Sequence, residues 1–305
     1  MFLILLAACG VEKEALDSPV EEVVDYRLTD LPEAPAGGLT LWGPEVEIEP
    51  YSDKMFCYYV DYPGDDAGIH SYDVYQGPVG HHMVLFRSTA GQADGSLEDC
   101  TDLSGQTMTM VEPILFAPTF GPGENLLTFP EGMGAAVRSG DKLMIQAHYL
   151  NTSDKPALVK DAINLGLIPE ADVTTWTAPF AFTRTELTVP TGLSELSFDC
   201  PMEDDVQVMF LYGHMHETGK HFKFERLGDA ENELLYEVDP WSKEYRDTPP
   251  VNDYMADPLE FKAGESFRTY CQWDNSTGEP ISFPSEMCAS SGMVYPSKVP
   301  HICSE

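Results

Sequence analysis

Five of the chain's eight histidines fall into three compact motifs: the pair His81-His82, the single His148, and the alternating His214-Met215-His216. With Met287 they make six residues in two sets of three, one in each half of the chain. The gaps are even: 66 residues from His82 to His148, 66 from His148 to His214 and 71 from His216 to Met287. Imidazole suits copper and zinc, whereas a thioether is a soft ligand that favours Cu(I). Three histidines in one set, and two histidines with a methionine in the other, read as two separate copper sites. One HxH motif alone is also what a polar stripe on a strand produces, and one methionine alone is an ordinary core filler. The combination, with cysteines at flanking positions, points to metal.

These side chains need strands to aim them. Adjacent residues on a regular strand point to opposite faces. His81 and His82 can therefore share an ion only if the strand bulges or ends there, which Gly80 permits. His148 comes from a separate strand over 143–150, with Gln146 two residues earlier on the same face. Gln146 is either a neighbour of the metal on an electron path or an ordinary polar strand residue. His214 and His216 point the same way from a strand that starts in the apolar run 206–212, and Gly213 and Gly219 allow close approach around them. Tyr212, two residues before His214, either lines a pocket or packs. Met287 would add a weak sulfur ligand, leaving an open position at the metal. His70, His221 and His301 match no ligand motif, and His221 reads as a surface strand residue beside Lys220 and Lys223.

The rest of the chain fits such a scaffold. It has 305 residues, 43% of them hydrophobic, with 24 Gly and 24 Pro. Short β-branched and aromatic runs, such as 56–60 and 82–86, alternate with Gly, Pro and Asp clusters. There are no heptads, no long amphipathic helix and no visible internal repeat. The fold class expected is all-β, built of sandwiches, with a break at 169–179 separating two series of strands. The net charge is −34, from 51 acidic and 17 basic residues. This argues against nucleic acid and against anionic membrane surfaces as partners. It serves solubility, or steers cationic substrates or copper ions.

The N-terminus is a short apolar run ending in Leu6-Ala7-Ala8-Cys9. It resembles a bacterial lipoprotein signal over 1–9, with Cys9 lipidated, although no Lys or Arg precedes the run. Residues 10–38 are acidic, contain Pro19, Pro32 and Pro35, and end in Gly37-Gly38, as a tether between membrane and fold would. The expected location is outside the cytoplasm: an outer-membrane or cell-surface lipoprotein, or the periplasm. Six further cysteines allow fifteen pairings, and an exported chain is expected to form disulfides. The sequons at Asn151 and Asn275 carry no weight in a bacterial host.

The strings GHHMVLF (80–86), QAHYLN (146–151), YGHMHETGK (212–220) and SEMCASS (285–291) resemble the copper type II, ascorbate-dependent monooxygenases. That family includes the peptidylglycine alpha-hydroxylating and dopamine beta-hydroxylating enzymes. The resemblance runs over about 40–305 and holds ligand order, spacing and type at all six positions. It implies two tandem antiparallel β-sandwich domains of jelly-roll type, 39–172 and 173–305, with one copper on each. It implies an electron-transfer copper held by His81, His82 and His148, and a dioxygen-binding copper held by His214, His216 and Met287. It also implies the disulfides Cys57–Cys100, Cys200–Cys303 and Cys271–Cys288, the last beside Met287. The reaction implied is hydroxylation of a C–H bond in a small organic or peptide substrate, using dioxygen and an external reductant such as ascorbate. The chain departs from the peptide-hydroxylating members, which carry an Arg two residues before the HxH and an Asn and a Tyr two and four residues after the Met. Those positions are Tyr212, Ala289 and Ser291, so the anchor for a peptide C-terminus is missing.

A second reading is a non-catalytic lipoprotein that scavenges or buffers copper. A third, a zinc hydrolase, suffers from the lack of a Glu base in a matching motif and from methionine being a poor zinc ligand. The lipoprotein expectation has a direct test. Cys9→Ser should move the protein from the membrane fraction to the soluble fraction with copper binding unchanged, and unaltered membrane association on fractionation counts against it.

Overall fold

The structure is a computed structural model that describes residues 22–101, 110–115, 122–246, 248–283 and 285–304. Cys9 and the expected signal 1–9 lie outside the described residues. So does the first part of the expected tether, 10–21.

The described chain is all-β, with two single-turn 3₁₀ segments at Glu170–Asp172 and Lys243–Arg246. It forms two sandwiches. In the first, a five-stranded antiparallel sheet runs in the order Leu97–Asp99, Ser52–Asp61, Lys142–Asn151, Gly80–Ser88 and Val111–Leu115. It packs against Leu39–Trp42, Ala162–Pro169, Ala67–Gln76 and Met133–Val137. In the second, Thr175–Thr183, Ala289–Tyr295 and Val206–His214 pack against the four-stranded sheet of Gly192–Pro201, Ser266–Asn275, Gly219–Arg226 and Glu233–Val238.

Strand periodicity sets what each face does. On Lys142–Asn151, Leu143, Ile145, Ala147 and Tyr149 enter the first core, while Met144 packs on the outer face with Cys57, Tyr59, Phe86 and Cys100. Gln146 and His148 share that outer face with Met144. The second core is dense in aromatics, with Phe180, Phe182, Phe224, Phe261 and Phe267 in mutual ring contact. The three disulfides are Cys57–Cys100, Cys200–Cys303 and Cys271–Cys288, the pairing that the resemblance implies.

Two features go beyond the expectations. First, the two series of strands are hydrogen-bonded to each other. Met133–Val137 pairs in parallel with Thr175–Thr183, so one eleven-stranded sheet runs through both sandwiches. Met209, Phe210, Tyr212 and Met293, all from the second half, belong to the first core. Parallel pairs also occur at Val24–Asp25 with Ala157–Val159 and at Thr175–Thr183 with His301–Ser304, so the pairing is mainly, not wholly, antiparallel. Second, the latter part of the expected tether is not a free spacer. Val24–Asp25 is a strand, Leu28 N donates to Lys160 O, and Pro32 O accepts from Asn164 Nδ2. Backbone pairing to an open sheet edge outweighed the acidic, Pro-containing composition.

The structure also reveals a repeat that sequence comparison of the halves misses. Two ten-residue strands, Lys142–Asn151 and Ser266–Asn275, each end in a buried Asn that closes the same turn. Asn151 Nδ2 donates to Lys155 O while its Oδ1 accepts from Ser153 N and Oγ. Asn275 Nδ2 donates to Glu279 O while its Oδ1 accepts from Thr277 N and Oγ1. Only the hydrogen-bonding residues match, too few to register as similarity.

Beneath the Gly80–Ser88 strand lies Asp161, with no exposed surface. Its carboxylate accepts from Gly77 N (2.9 Å) and Gln76 Nε2 (3.3 Å) and anchors the turn that enters the strand. Burial raises its pKa from 3.8 to about 6. Between those values the folded protein binds more protons than the unfolded chain, so stability falls as pH rises through the interval and stays lower above it. Asp161→Asn should keep the Gly77 bond, and a flipped Gln76 amide can accept from the new Nδ2. The variant should gain up to about 3 kcal/mol at about pH 8, with the gain vanishing below about pH 4. Urea unfolding across pH with the disulfides intact measures this, and a pH-independent difference contradicts it.

Candidate metal centres

The first centre depends on a bulge. In the pairing of Gly80–Ser88 with Lys142–Asn151, His148 stands opposite His82, and Tyr149 stands opposite Gly80. His81 is the extra residue between them, as required for neighbouring histidines to converge. Glycine at 80 answers to space: a Cβ there would lie 2.4 Å from Gln76 Cβ. The imidazoles of His81, His82 and His148 have ring centroids 4.5–5.0 Å apart. One ligand nitrogen from each lies within 4.8 Å of the others.

Hydrogen bonding assigns the nitrogens. His148 Nε2 donates to Asp53 Oδ1 at 2.5 Å. Its Nδ1 is buried without a hydrogen-bond partner among the described residues. A ligating imidazole usually gives one nitrogen to the metal and the other to a carboxylate or carbonyl, so Nδ1 is the atom of His148 that would face a metal. His81 Nδ1 and His82 Nδ1 are 2.9 Å apart. Two nitrogens about 2.0–2.1 Å from one ion stand about 2.9–3.4 Å apart for angles between a right angle and tetrahedral, so the set fits a metal.

The second centre sits where Val206–His214 ends. Phe210 and Tyr212 face the first core, and His214 follows on the same face. Gly213 faces the opposite way, where a Cβ would meet the Phe222 ring at 2.4 Å. His214 Nε2 and His216 Nε2 are 3.2 Å apart, and His216 Nδ1 is taken by Ser285 O at 3.0 Å. Nε2 is thus the atom of His216 left to face a metal, were one bound.

Met287 lies just beyond the ladder. The ladder ends with His214 paired to Ala289, and the Met287 segment two residues earlier is tied to His216 through the backbone. A buried carboxylate makes this tie. Glu286, 1% exposed, accepts from His216 N (2.6 Å) and Met287 N (3.0 Å) on one oxygen. Its other oxygen accepts from Thr218 Oγ1 (2.6 Å) and Thr218 N (3.3 Å).

Burial is the main force holding the pKa values of His82 and His214 well below the ordinary histidine range, and those of His148 and His216 below it. Neutral imidazoles are what a metal needs. Asp53 opposes the shift at His148, as Glu286 does at His216. The hydrogen bond from His148 is the main reason Asp53 stays well below the usual carboxylate range. The centres feel each other: charge on His81 disfavours protonation of His214, and charge on His214 disfavours that of His82.

The structure brings together all three residues of the first set. In the second it joins His214 to His216, and Glu286 links the backbone N–H of Met287 to that of His216. Gln146 is buried on the His148 face. Tyr212 packs in the core, where burial pushes its phenol pKa up. His70, His221 and His301 stand apart, bonded to Met133 O, Glu237 and Ser297 Oγ. A surface hollow of about 330 Å³, lined by Arg226, Tyr254 and Lys262 among others, includes none of the six ligands.

Sequence reasoning missed Asp53, Glu286 and Arg246. Arg246 donates to Asp53 Oδ2 at 3.0 Å and to Glu217. Glu286 had a faint signal, as an acidic residue between a serine and a candidate ligand. Among 51 acidic residues, Asp53 had none.

No family profile and no curated protein matches the chain. Among solved structures, it is similar to the major capsid protein P2 of bacteriophage PM2, at 12% identity and TM-score 0.35, covering 84% of this chain and 97% of that one. It is also similar to the VP2 subviral particle of infectious bursal disease virus, at 11% identity and TM-score 0.24, covering 86% and 72%. Likenesses at this level carry no information about function.

The clamp on Met287 can be tested apart from the histidines. Glu286→Gln replaces one accepting oxygen with an amide that cannot accept from the surrounding N–H groups. It should cost about 1.5–3 kcal/mol in urea unfolding and weaken metal binding at the His214–His216 set alone. Unchanged stability, or equal loss at both centres, contradicts the assignment.

Proposed function

We propose that the protein is a copper-dependent monooxygenase, similar in its site to the ascorbate-dependent copper type II enzymes. The observation that carries the proposal is the pair of converging imidazole sets. One presents Nδ1 of His148 with His81 and His82, and the other presents Nε2 of His216 with His214 beside the Met287 segment. Bound copper would supply a one-electron centre at each set and dioxygen activation at the softer one. The balanced reaction takes a substrate C–H bond, dioxygen, two electrons from an external reductant of the ascorbate class and two protons, and yields C–OH and water.

The chain's own residues have definable parts in this. The first set is all nitrogen, backed by Asp53, and supports Cu(II) as well as Cu(I), as cycling between them requires. The second set includes a thioether and favours Cu(I), the state that reacts with dioxygen. Burial keeps the histidines neutral, so protons compete weakly with metal. Tyr212 and Ser291, register partners beside His214, are both uncharged, so neither position supplies the cation that anchors a peptide C-terminus in the peptide-hydroxylating enzymes.

Reconstituted protein should hold about two coppers per chain. X-ray absorption of the reduced form should show sulfur scattering that Met287→His abolishes and His148→Ala retains. Reductant-dependent oxygen consumption should fall in both variants, each remaining folded. Zinc preferred over Cu(I), no copper–sulfur signal in the wild type, or full oxygen consumption by Met287→His sinks the assignment. Copper binding with no hydroxylated product across a substrate panel favours the scavenging alternative.

A further inference from the structure

The two centres are joined by a chain of charged side chains that metal binding does not use. Asp53 spends one carboxylate oxygen on His148 Nε2 and the other on Arg246 Nη2. Arg246 also pairs with Glu217, the residue after His216. Asp53 lies in the first half of the chain, and Arg246 and Glu217 in the second. The Arg246 side chain is only 21% exposed, against 42% for Asp53 and 51% for Glu217, so its charge is the least screened of the three.

We propose that Arg246 is a positioning residue that shifts the three-histidine centre towards its reduced state, acting through Asp53, and that Glu217 tempers this from the other centre. The inference rests on the copper reading above. A carboxylate that accepts from a ligating imidazole makes the ring a better donor and favours the more highly charged ion. A guanidinium on the same carboxylate draws away its basicity. The positive charge of Arg246 also disfavours Cu(II) more than Cu(I) by direct repulsion. Both effects act in one direction. Glu217 shares the guanidinium and so weakens its hold on Asp53. Because the Asp53–Arg246 contact crosses between the halves, it also makes the first centre sensitive to how the second is seated.

The test is a redox titration, followed by the Cu(II) electron paramagnetic resonance signal, with copper alone as the added metal. It uses the full chain in a His214→Ala, His216→Ala background, so that only the three-histidine centre is loaded. Arg246→Gln should raise the Cu(II)-over-Cu(I) affinity ratio about tenfold, the lower end of the usual effect of a group behind a ligand, a potential about 59 mV lower. Arg246→Lys keeps the charge and should restore most of the wild-type value. Glu217→Gln should shift the potential the opposite way, an outcome that loss of packing does not produce. Copper bound with an unmoved potential in Arg246→Gln overturns the coupling and leaves the copper reading intact. If Arg246→Gln does not fold, Glu217→Gln decides, and no upward shift overturns the proposal. Failure of the three-histidine centre to bind copper in the parent background overturns the copper reading and this inference with it.

Discussion

Everything at the first centre depends on a one-residue mismatch between two strands. A β-strand sends neighbouring side chains to opposite faces, so two adjacent histidines cannot meet at one point while the ladder stays in step. Putting His81 outside the ladder, between the His82–His148 and Gly80–Tyr149 pairs, resolves this. The bulge is supported from below. Gln76 packs against Gly80 too closely for any side chain there, and buried Asp161 ties down Gln76 and Gly77. The second centre needs no bulge at its histidines, because alternate residues already share a face. Its difficulty is a methionine brought in from a distant segment, and there alignment falls to the Glu286 carboxylate and its four donors.

The acidic residues at the two clusters hold the candidate ligands in place through hydrogen bonds, and would not themselves be ligands in the copper reading. Asp53 fixes the ring of His148 and thereby its free nitrogen. Glu286 fixes the backbone at His216 and Met287 together. In a chain of net charge −34 this division matters. Carboxylates bound directly to the ion would favour harder metals, whereas carboxylates one bond away tune imidazole and thioether ligands without changing what they select.

Much of this was legible in the sequence because its signals are local. The six candidate ligands, the need for distortion at His81-His82 and the all-β class follow from residue type, spacing and strand period. The disulfide pairing came from resemblance, since spacing alone left fifteen arrangements open. What sequence did not carry was pairing between distant segments. Asp53 is diagonal to His148 across two strands, and nothing near residue 53 announces that. The continuous sheet through both halves depends on the pairing of Met133–Val137 with Thr175–Thr183, whose residues carry no mark of each other. The segment from Val24 onward read as a spacer because composition reports on average behaviour, while a single edge strand was enough to dock it.

The matching turns at Asn151 and Asn275 bear on how such a chain can be made. Both asparagines begin N-x-Ser/Thr sequons, and both are 1% exposed. Asn151 Nδ2 serves Ile48 O, Glu49 O and Lys155 O, while Asn275 Nδ2 serves Val189 O and Glu279 O. That nitrogen is the atom a glycosylating compartment modifies, and it does so on the nascent chain before the turn has closed. A sugar there would take one of the two N–H bonds that serve these carbonyls and place bulk where the strand must end. The fold is thus suited to conditions that form its three disulfides but leave both asparagines untouched.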